Sequence, residues 1–270
     1  MNIAVIVTTY NRPDALAALF EGYRAQRDRE FEIVVADDGS GEETAAVVAA
    51  CRERGGLAID HVWQEDRGFR AAAIRNRALA RTKADYVIFT DGDCLPLPDF
   101  IAAHRRLAER GWFVAGNRIL MKEPISRCIL AERLPVHAWP AGRWLALFLK
   151  GEINRFLPLW RVPVPGWLRK LPARRWHGVM TCNLAAWRED LLAVNGFDEA
   201  YEGWGLEDSD LTLRLLHSGI NRKSARFATP VVHLWHPEND RGGFEENWLR
   251  LAALSRSRRT RAKRGVDRYL

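Results

Sequence analysis

Asp85-Tyr86-Val87-Ile88-Phe89-Thr90-Asp91-Gly92-Asp93 is the stretch from which the rest of the chain can be read. Val87, Ile88 and Phe89 form an unbroken apolar run of strand formers, the pattern of a strand buried on both faces of a parallel sheet. Ligands of open α/β sheets lie just beyond the carboxyl ends of such strands. Asp91 and Asp93 stand at that point, spaced so that both carboxylates can serve one hard divalent cation. Such an ion can in turn hold a diphosphate. Alone, Asp-Gly-Asp is commonly just a solvated turn, so the flanking segments give it its meaning.

Upstream, residues 2–8 read as a buried strand. A loop over 9–14 leads into a helix with Pro13 in its first turn and Leu16, Leu19, Phe20 and Tyr23 on one face. Residues 31–36 read as a second strand, with Ser40 or Asp38 capping a helix over 43–54. Residues 58–63 read as a third strand, and 70–82 as an Ala- and Arg-rich helix. This alternation predicts a parallel, doubly wound α/β sheet. Beyond residue 111 the rhythm changes. Residues 111–120 read as one strand, 124–178 are dense in Pro, Trp and Arg, and 180–187 read as a strand before a helix at 188–195. A helix over 207–217 stops at Gly219, one or two strand pieces fall within 225–235, and 243–264 read as a basic helix.

The 270 residues suit one large domain, or a domain with an added lobe. Hydrophobic and charged fractions of 47% and 28% are those of a folded globular protein. No run nears the ~20 apolar residues that span a bilayer. Met1-Asn2-Ile3 enters a strand without a secretion signal, so a cytoplasmic setting is expected. Cys51, Cys94, Cys128 and Cys182 form no Cys-x-x-Cys pair, which argues for reduced thiols and against zinc. The net charge of +7 is unevenly spread. Between Trp139 and His177, Arg143, Lys150, Arg155, Arg161, Arg169, Lys170, Arg174 and Arg175 accompany one acid, Glu152. Residues 256–264 add six basic residues and no acid. Such patches suit nucleic acid, anionic lipid or an acidic acceptor.

Five motifs stand in order. They are Val7-Thr8-Thr9-Tyr10-Asn11-Arg12, Val35-Ala36-Asp37-Asp38-Gly39-Ser40, Gly68-Phe69-Arg70-Ala71-Ala72-Ala73-Ile74-Arg75-Asn76-Arg77 and Thr90-Asp91-Gly92-Asp93. The last is Asn195-Gly196-Phe197-Asp198-Glu199, running into Gly203-Trp204-Gly205-Leu206-Glu207-Asp208-Ser209-Asp210. Together they resemble the family 2 glycosyltransferases with a GT-A fold, in the branch whose C-terminal half is like that of galactosyltransferases and chondroitin polymerases. The likeness covers most of residues 2–120 and 178–240, and leaves 124–176 outside.

The resemblance implies a Rossmann-like nucleotide-sugar half with a mostly parallel sheet at 1–120 and an acceptor half at 178–242. Between them lies a basic, Trp- and Pro-rich insertion at 121–177, and a basic tail follows at 243–270. It implies inverting transfer of a hexose or N-acetylhexosamine from a UDP-sugar to a glycan or lipid-linked acceptor, with Mn²⁺ or Mg²⁺, in polysaccharide or lipopolysaccharide synthesis. Thr8, Tyr10 and Asn11 would hold the uracil side, Asp38 would bond the base, and Arg70 would offset diphosphate charge. Asp91 would touch the ribose or reach the metal through water, and Asp93 would ligate it directly. Asp208 takes the position of the base for the acceptor hydroxyl, with Trp204 and Glu207 beside the donor. A free aspartate is ionised at neutral pH, so no tuning is expected. His233 is the expected third metal ligand, with His236 as the alternative.

Trp139, Trp144, Trp160, Trp167 and Trp176 suit a core. Interleaved with basic residues, they also suit a face lying peripherally on the cytoplasmic side of an anionic membrane. A Rossmann dehydrogenase would need Gly-x-Gly-x-x-Gly where Thr8-Thr9-Tyr10-Asn11-Arg12 stands. A nucleic-acid-binding protein would explain the basic stretches but not the carboxylate motifs, so no nucleic-acid partner is expected. A nucleotidyltransferase shares the nucleotide-and-metal logic and differs in what it releases.

Overall fold

The computed structural model of the chain describes residues 1–160, 162–237 and 242–270, so Arg161 of the basic stretch lies outside the described residues. Up to residue 91 the elements alternate as the hydrophobic pattern predicts. They are β1 (Ile3–Thr9), α1 (Pro13–Arg24), β2 (Phe31–Asp37), α2 (Glu42–Glu53), β3 (Ala58–Trp63), α3 (Ala71–Arg81) and β4 (Tyr86–Asp91). β1 lies between β2 and β4 and parallel to both, with Val7 opposite Val35 and Thr90. Residues 3–7 and 86–89 are buried because helices cover both sheet faces.

β5 (Cys94–Pro96), α4 (Phe100–Leu107), β6 (Trp112–Ala115), β7 (Asn117–Leu120) and α5 (Glu123–Glu132) follow. Next come α6 (Ala141–Leu149), α7 (Gly166–Arg169), β8 (Leu184–Trp187) and α8 (Arg188–Ala193). The chain continues through α9 (Glu207–His217), β9 (Asn221–Ser224), β10 (Pro230–His233) and α10 (Phe244–Ser255). The main sheet runs β3-β2-β1-β4-β8-β6-β9. Only β8 is antiparallel to its neighbours, so the sheet is mostly parallel. A small sheet, β5-β10-β7, sits beside it. Among the described residues no helix is long and apolar enough to cross a membrane.

Several expectations are corrected. The strand expected over 111–120 is two strands, β6 in the large sheet and β7 in the small one. They part at Gly116, where a Cβ would fall 2.2 Å from Asn183 Cγ. The Asn183 amide fills that space, donating to the carbonyls of Asn117 (3.1 Å) and Thr229 (2.5 Å). The strand expected from 180 opens instead as a 3-10 turn, Thr181–Asn183. Neither Ser40 nor Asp38 caps α2, because both are recruited elsewhere and Gly41 holds the cap position. Ser40 Oγ accepts the Asn11 N–H (2.8 Å), and Asp38 accepts from Gln64 and Arg70. The helix expected to reach 264 ends at Ser255. The tail then docks on the fold, Ala262 and Val266 donating to Val194 and Asn195 carbonyls at 3.0 and 3.1 Å. Its Arg259 reaches Asp198 (3.4 Å) and Asp210 (3.6 Å), so this basic segment is partly structural.

The stretch 139–177 divides likewise. Trp139 and Trp144 are buried with ring centroids 5.0 Å apart, Trp176 stacks on His177, and Trp160 and Trp167 are exposed. Arg169 is buried and donates to the carbonyls of Val164, Ser224 and Arg226, while Lys170 pairs with Glu109 at 2.5 Å. These two cations hold the lobe onto the fold.

Candidate active site

β1 and β4 end side by side, with Thr8 opposite Asp91. The Gly92 N–H donates to the Thr8 carbonyl at 2.7 Å, and a Cβ on Gly92 would meet Thr9 Oγ1 at 2.9 Å. Only glycine lets the chain pass so close, and the turn leaves Asp91 and Asp93 on either side of it. A cleft of about 950 Å³ opens there. Its lining includes Thr8, Tyr10, Asn11, Asp38, Asp91, Asp93, Trp204, Glu207, Asp208, His233 and His236. Tyr10 is steadied by Asp66 (2.8 Å), and the Asn11 side chain accepts the Gly41 N–H (3.0 Å). Trp204 stacks on Phe244, ring centroids 6.0 Å apart. Arg70 is the one nominated residue that does not line the cleft. Its N–H donates to Asp38 (2.8 Å) and its guanidinium to the Glu65 carbonyl, so it shapes the loop that holds Asp38.

Arg75, five residues on, occupies the site itself. Buried at the start of α3, it donates to Thr8 Oγ1 (2.9 Å), Glu207 (2.8 Å) and Asp91 (3.3 Å). One guanidinium thereby joins the ends of β1 and β4 to the start of α9. The sequence reading missed it, although a signal was present. Arg75 falls on the α3 face that buries Ala71, Ala72, Ala78 and Leu79, where a charge needs a partner. Its neighbour Asn76 donates to the Phe197 carbonyl (2.9 Å) and Glu199 (3.0 Å) and accepts the Phe197 N–H (2.8 Å). Gly196, at φ +62°, packs so tightly there that a Cβ would lie 2.3 Å from Asn76 Oδ1. Asp210, on the buried side of α9, pairs with Arg214 at 2.6 Å, and Arg214 donates to the carbonyls of Val194 and Gly196. The Asn195–Glu199 motif is therefore a clamp, while Glu207 and Asp208 face the cleft.

Burial pushes the Asp91 carboxyl up to about 6, with Arg75 opposing. Burial, reinforced by the Glu207 charge, pushes Asp208 up to about 7, again with Arg75 opposing. The expectation of an untuned aspartate is thus corrected: the α9 N-terminus is sunk in the cleft wall, where ionisation loses hydration. Burial brings His233 down to about 4, leaving a neutral imidazole able to ligate. Its Nε2 lies 3.7 Å from Asp93 Oδ1, and His236 Nε2 lies 3.5 Å from Asp93 Oδ2. Donors at such spacing can reach one ion with bonds of about 2.1 Å. The carboxylates suit Mn²⁺ or Mg²⁺, and a neutral imidazole can serve as a further ligand. Both histidines, rather than one, flank Asp93. Three further residues were not foreseen here. Cys94 and Cys182, distant in sequence, meet within 4.8 Å of each other and of Asp91. Arg118 on β7 also lines the cleft; burial disfavours its charge, but Cys182, Cys94, Asp91 and Asp93 raise its pKa.

Residues 4–164 match the family described as Glycosyl transferase family 2. The chain belongs to that family. Residues 169–237 of this family 2 transferase match the N-terminal domain of galactosyltransferase. It is 31% identical over 236 residues to a validoxylamine A glucosyltransferase of Streptomyces hygroscopicus subsp. limoneus, covering 81% of this chain and 48% of that one. It is 32% identical over 244 residues to a chondroitin synthase of Escherichia coli, covering 84% and 34%. The transferase therefore spans half or less of the length of these relatives. Among solved structures it resembles GalNAc-T7 with UDP, GalNAc and Mn²⁺, with a TM-score of 0.65 at 17% identity, covering 94% of this chain and 48% of that chain. A mannosyltransferase from Pyrobaculum calidifontis in complex with GDP-Man and Mn²⁺ gives 0.60 at 21% identity, covering 94% and 62%. These likenesses establish a GT-A fold.

Proposed function

We propose that this family 2 transferase moves a hexose or N-acetylhexosamine from a UDP-sugar to a glycan or lipid-linked acceptor, with inversion. Its setting would be the cytoplasmic face of an anionic membrane, in the synthesis of a cell-surface polysaccharide or lipopolysaccharide. The reading is carried by one observation: Asp93 with His233 and His236, and Asp208 with Glu207, line a single cleft at the ends of β1 and β4. Residues 1–120 would serve as the donor half and 178–242 as the acceptor half, with 121–177 inserted between them.

Thr8, Tyr10, Asn11 and Asp38 would hold the nucleoside. Asp93, His233 and His236 would hold a divalent metal, Mn²⁺ or Mg²⁺, and Asp91 would steady it directly or through water. The metal would supply electrostatic stabilisation to the departing diphosphate, whose charge grows in the transition state. Arg118 places further positive charge on that side. Asp208 would take the acceptor hydroxyl proton as its oxygen attacks the anomeric carbon, and the bond to the diphosphate breaks on the opposite face. Supporting this, the matched solved structures hold UDP or GDP-Man with Mn²⁺.

A panel of UDP-sugars, assayed for UDP release with and without Mn²⁺, tests the reading. Metal-dependent UDP release, stopped by EDTA and restored by Mn²⁺, is expected. Pyrophosphate release from UTP and a sugar 1-phosphate, with no UDP release from any UDP-sugar, would indicate a nucleotidyltransferase, and full activity in EDTA would remove the metal.

A further inference from the structure

α6 reads Ala141-Gly142-Arg143-Trp144-Leu145-Ala146-Leu147-Phe148-Leu149, apolar around nearly its whole circumference. Helices of that kind belong in an interior, yet α6 buries only Trp144 and Leu147. Leu145, Phe148 and Leu149 remain 42%, 41% and 75% exposed. The apolar surface continues by ring contacts from Phe148 to Phe156 (6.3 Å) and from Phe156 to Trp160 (6.2 Å). There Leu157 is 59% and Trp160 69% exposed. Single exposed apolar side chains are ordinary, but a contiguous ledge marks a contact.

Its surroundings indicate what covers it. Arg143, Lys150 and Arg155 are exposed in the same segment, whose sole acid, Glu152, is half-buried. The ledge is also joined to the cleft. Met121 bridges Ile153, the Lys122 N–H donates to the Glu152 carbonyl (2.9 Å), and the Asn154 N–H donates to the Leu120 carbonyl (3.1 Å). Leu120 and Met121 line the cleft.

We infer that α6 and the 3-10 turn Leu157–Trp160 seat the transferase on an anionic lipid bilayer. Leu149, Leu157 and Trp160 enter the headgroup boundary, and Lys150 and Arg155 meet lipid phosphates. The rim at Leu120 and Met121 then faces the membrane, where a lipid-linked acceptor presents its sugar. This rests on the acceptor class proposed above and assigns the surface that reaches it. Arg169 and Lys170, despite their charge, are excluded because the fold already holds them.

Co-sedimentation of the full chain with phosphatidylglycerol-rich and pure phosphatidylcholine vesicles tests the inference. The wild type should bind the former at low salt and be released near 1 M salt, where screening shortens electrostatic reach to about 3 Å. The combined variant Leu149→Ser, Leu157→Ser, Trp160→Ser should bind at least about tenfold more weakly. Lys150→Gln with Arg155→Gln should lose binding to the anionic vesicles while keeping the ledge. Circular dichroism and metal-dependent UDP binding, measured without vesicles, should be unchanged in both. Absence of wild-type binding, or equal binding by the ledge variant, overturns the inference. So does self-association that the ledge variant abolishes, which would make the surface a contact between copies. Loss of UDP binding in the wild type would instead strike the donor reading.

Discussion

With its carboxyl raised to about 7, Asp208 is about half in its proton-accepting form at neutrality and gains it fully only above. As base, it should give kcat/KM a limb that falls about tenfold per pH unit below that pKa. Asp208→Asn should lower the rate by ~10²-fold or more with donor affinity nearly unchanged. Stability separates this from a structural role. The folded pKa lies above the ordinary 3.8, so ionisation opposes folding, not at all below about 4 and fully above about 7. Asn carries no such charge, and scanning calorimetry at pH 8 should show an unchanged or higher Tm. Arg75→Met should do the reverse, leaving Glu207 and Asp91 without their cation. Breaking such a buried pair costs about 3–5 kcal/mol, visible as a lower denaturation midpoint together with weaker UDP binding. The cleft positions of Asp91 and Asp93 were legible because they close an apolar strand, and those of Asp208 and His233 because the family resemblance nominated them. Arg75 was signalled only by its place on the buried face of α3, and its partners on β1, β4 and α9 are brought together only by folding.

At the scale of elements, the turn between β4 and β5 depends on the absence of a side chain at residue 92. Gly92→Ala should push the Asp-x-Asp turn off Thr9. Metal-dependent UDP binding should fall by about tenfold or more while circular dichroism stays native, since a displacement near 1 Å is costly for preorganised groups. Asn76→Ala would orphan the buried Phe197 N–H and carbonyl, at about 1–3 kcal/mol for each group left unsatisfied; urea titration reads that loss. β1, β2 and β4 were legible because continuous apolar runs specify doubly covered strands, whereas β3 is a partly exposed edge strand of mixed sequence. β9 was not legible, because Asn221-Arg222-Lys223-Ser224 has no apolar pattern; it joins the sheet by pairing parallel with β6. The break at Gly116 was hidden too, since the Asn183 that enforces it comes from the other half of the chain.

Across the whole molecule, residues 1–120 and 178–242, the two halves proposed for donor and acceptor, share one sheet, because β8 inserts antiparallel between β4 and β6. That insertion carries Thr181 and Cys182 into the cleft wall, and α9 brings Asp208 toward the Asp-x-Asp turn. The alternating first half and its nucleotide-binding end could be foreseen from periodicity. The lobe over 139–177 could not, because composition does not say which tryptophans pack and which face out. A metal held by both sides of the cleft should also tie the halves together, so Mn²⁺ with UDP should raise Tm more than either alone. Calorimetric titration of UDP into the wild type and Asp93→Ala, each with Mn²⁺ and with EDTA, is the most direct test of the metal-held donor site. Binding by the wild type only with Mn²⁺, and by Asp93→Ala in neither condition, is the predicted result. Equal UDP affinity in EDTA, or in Asp93→Ala, would contradict it.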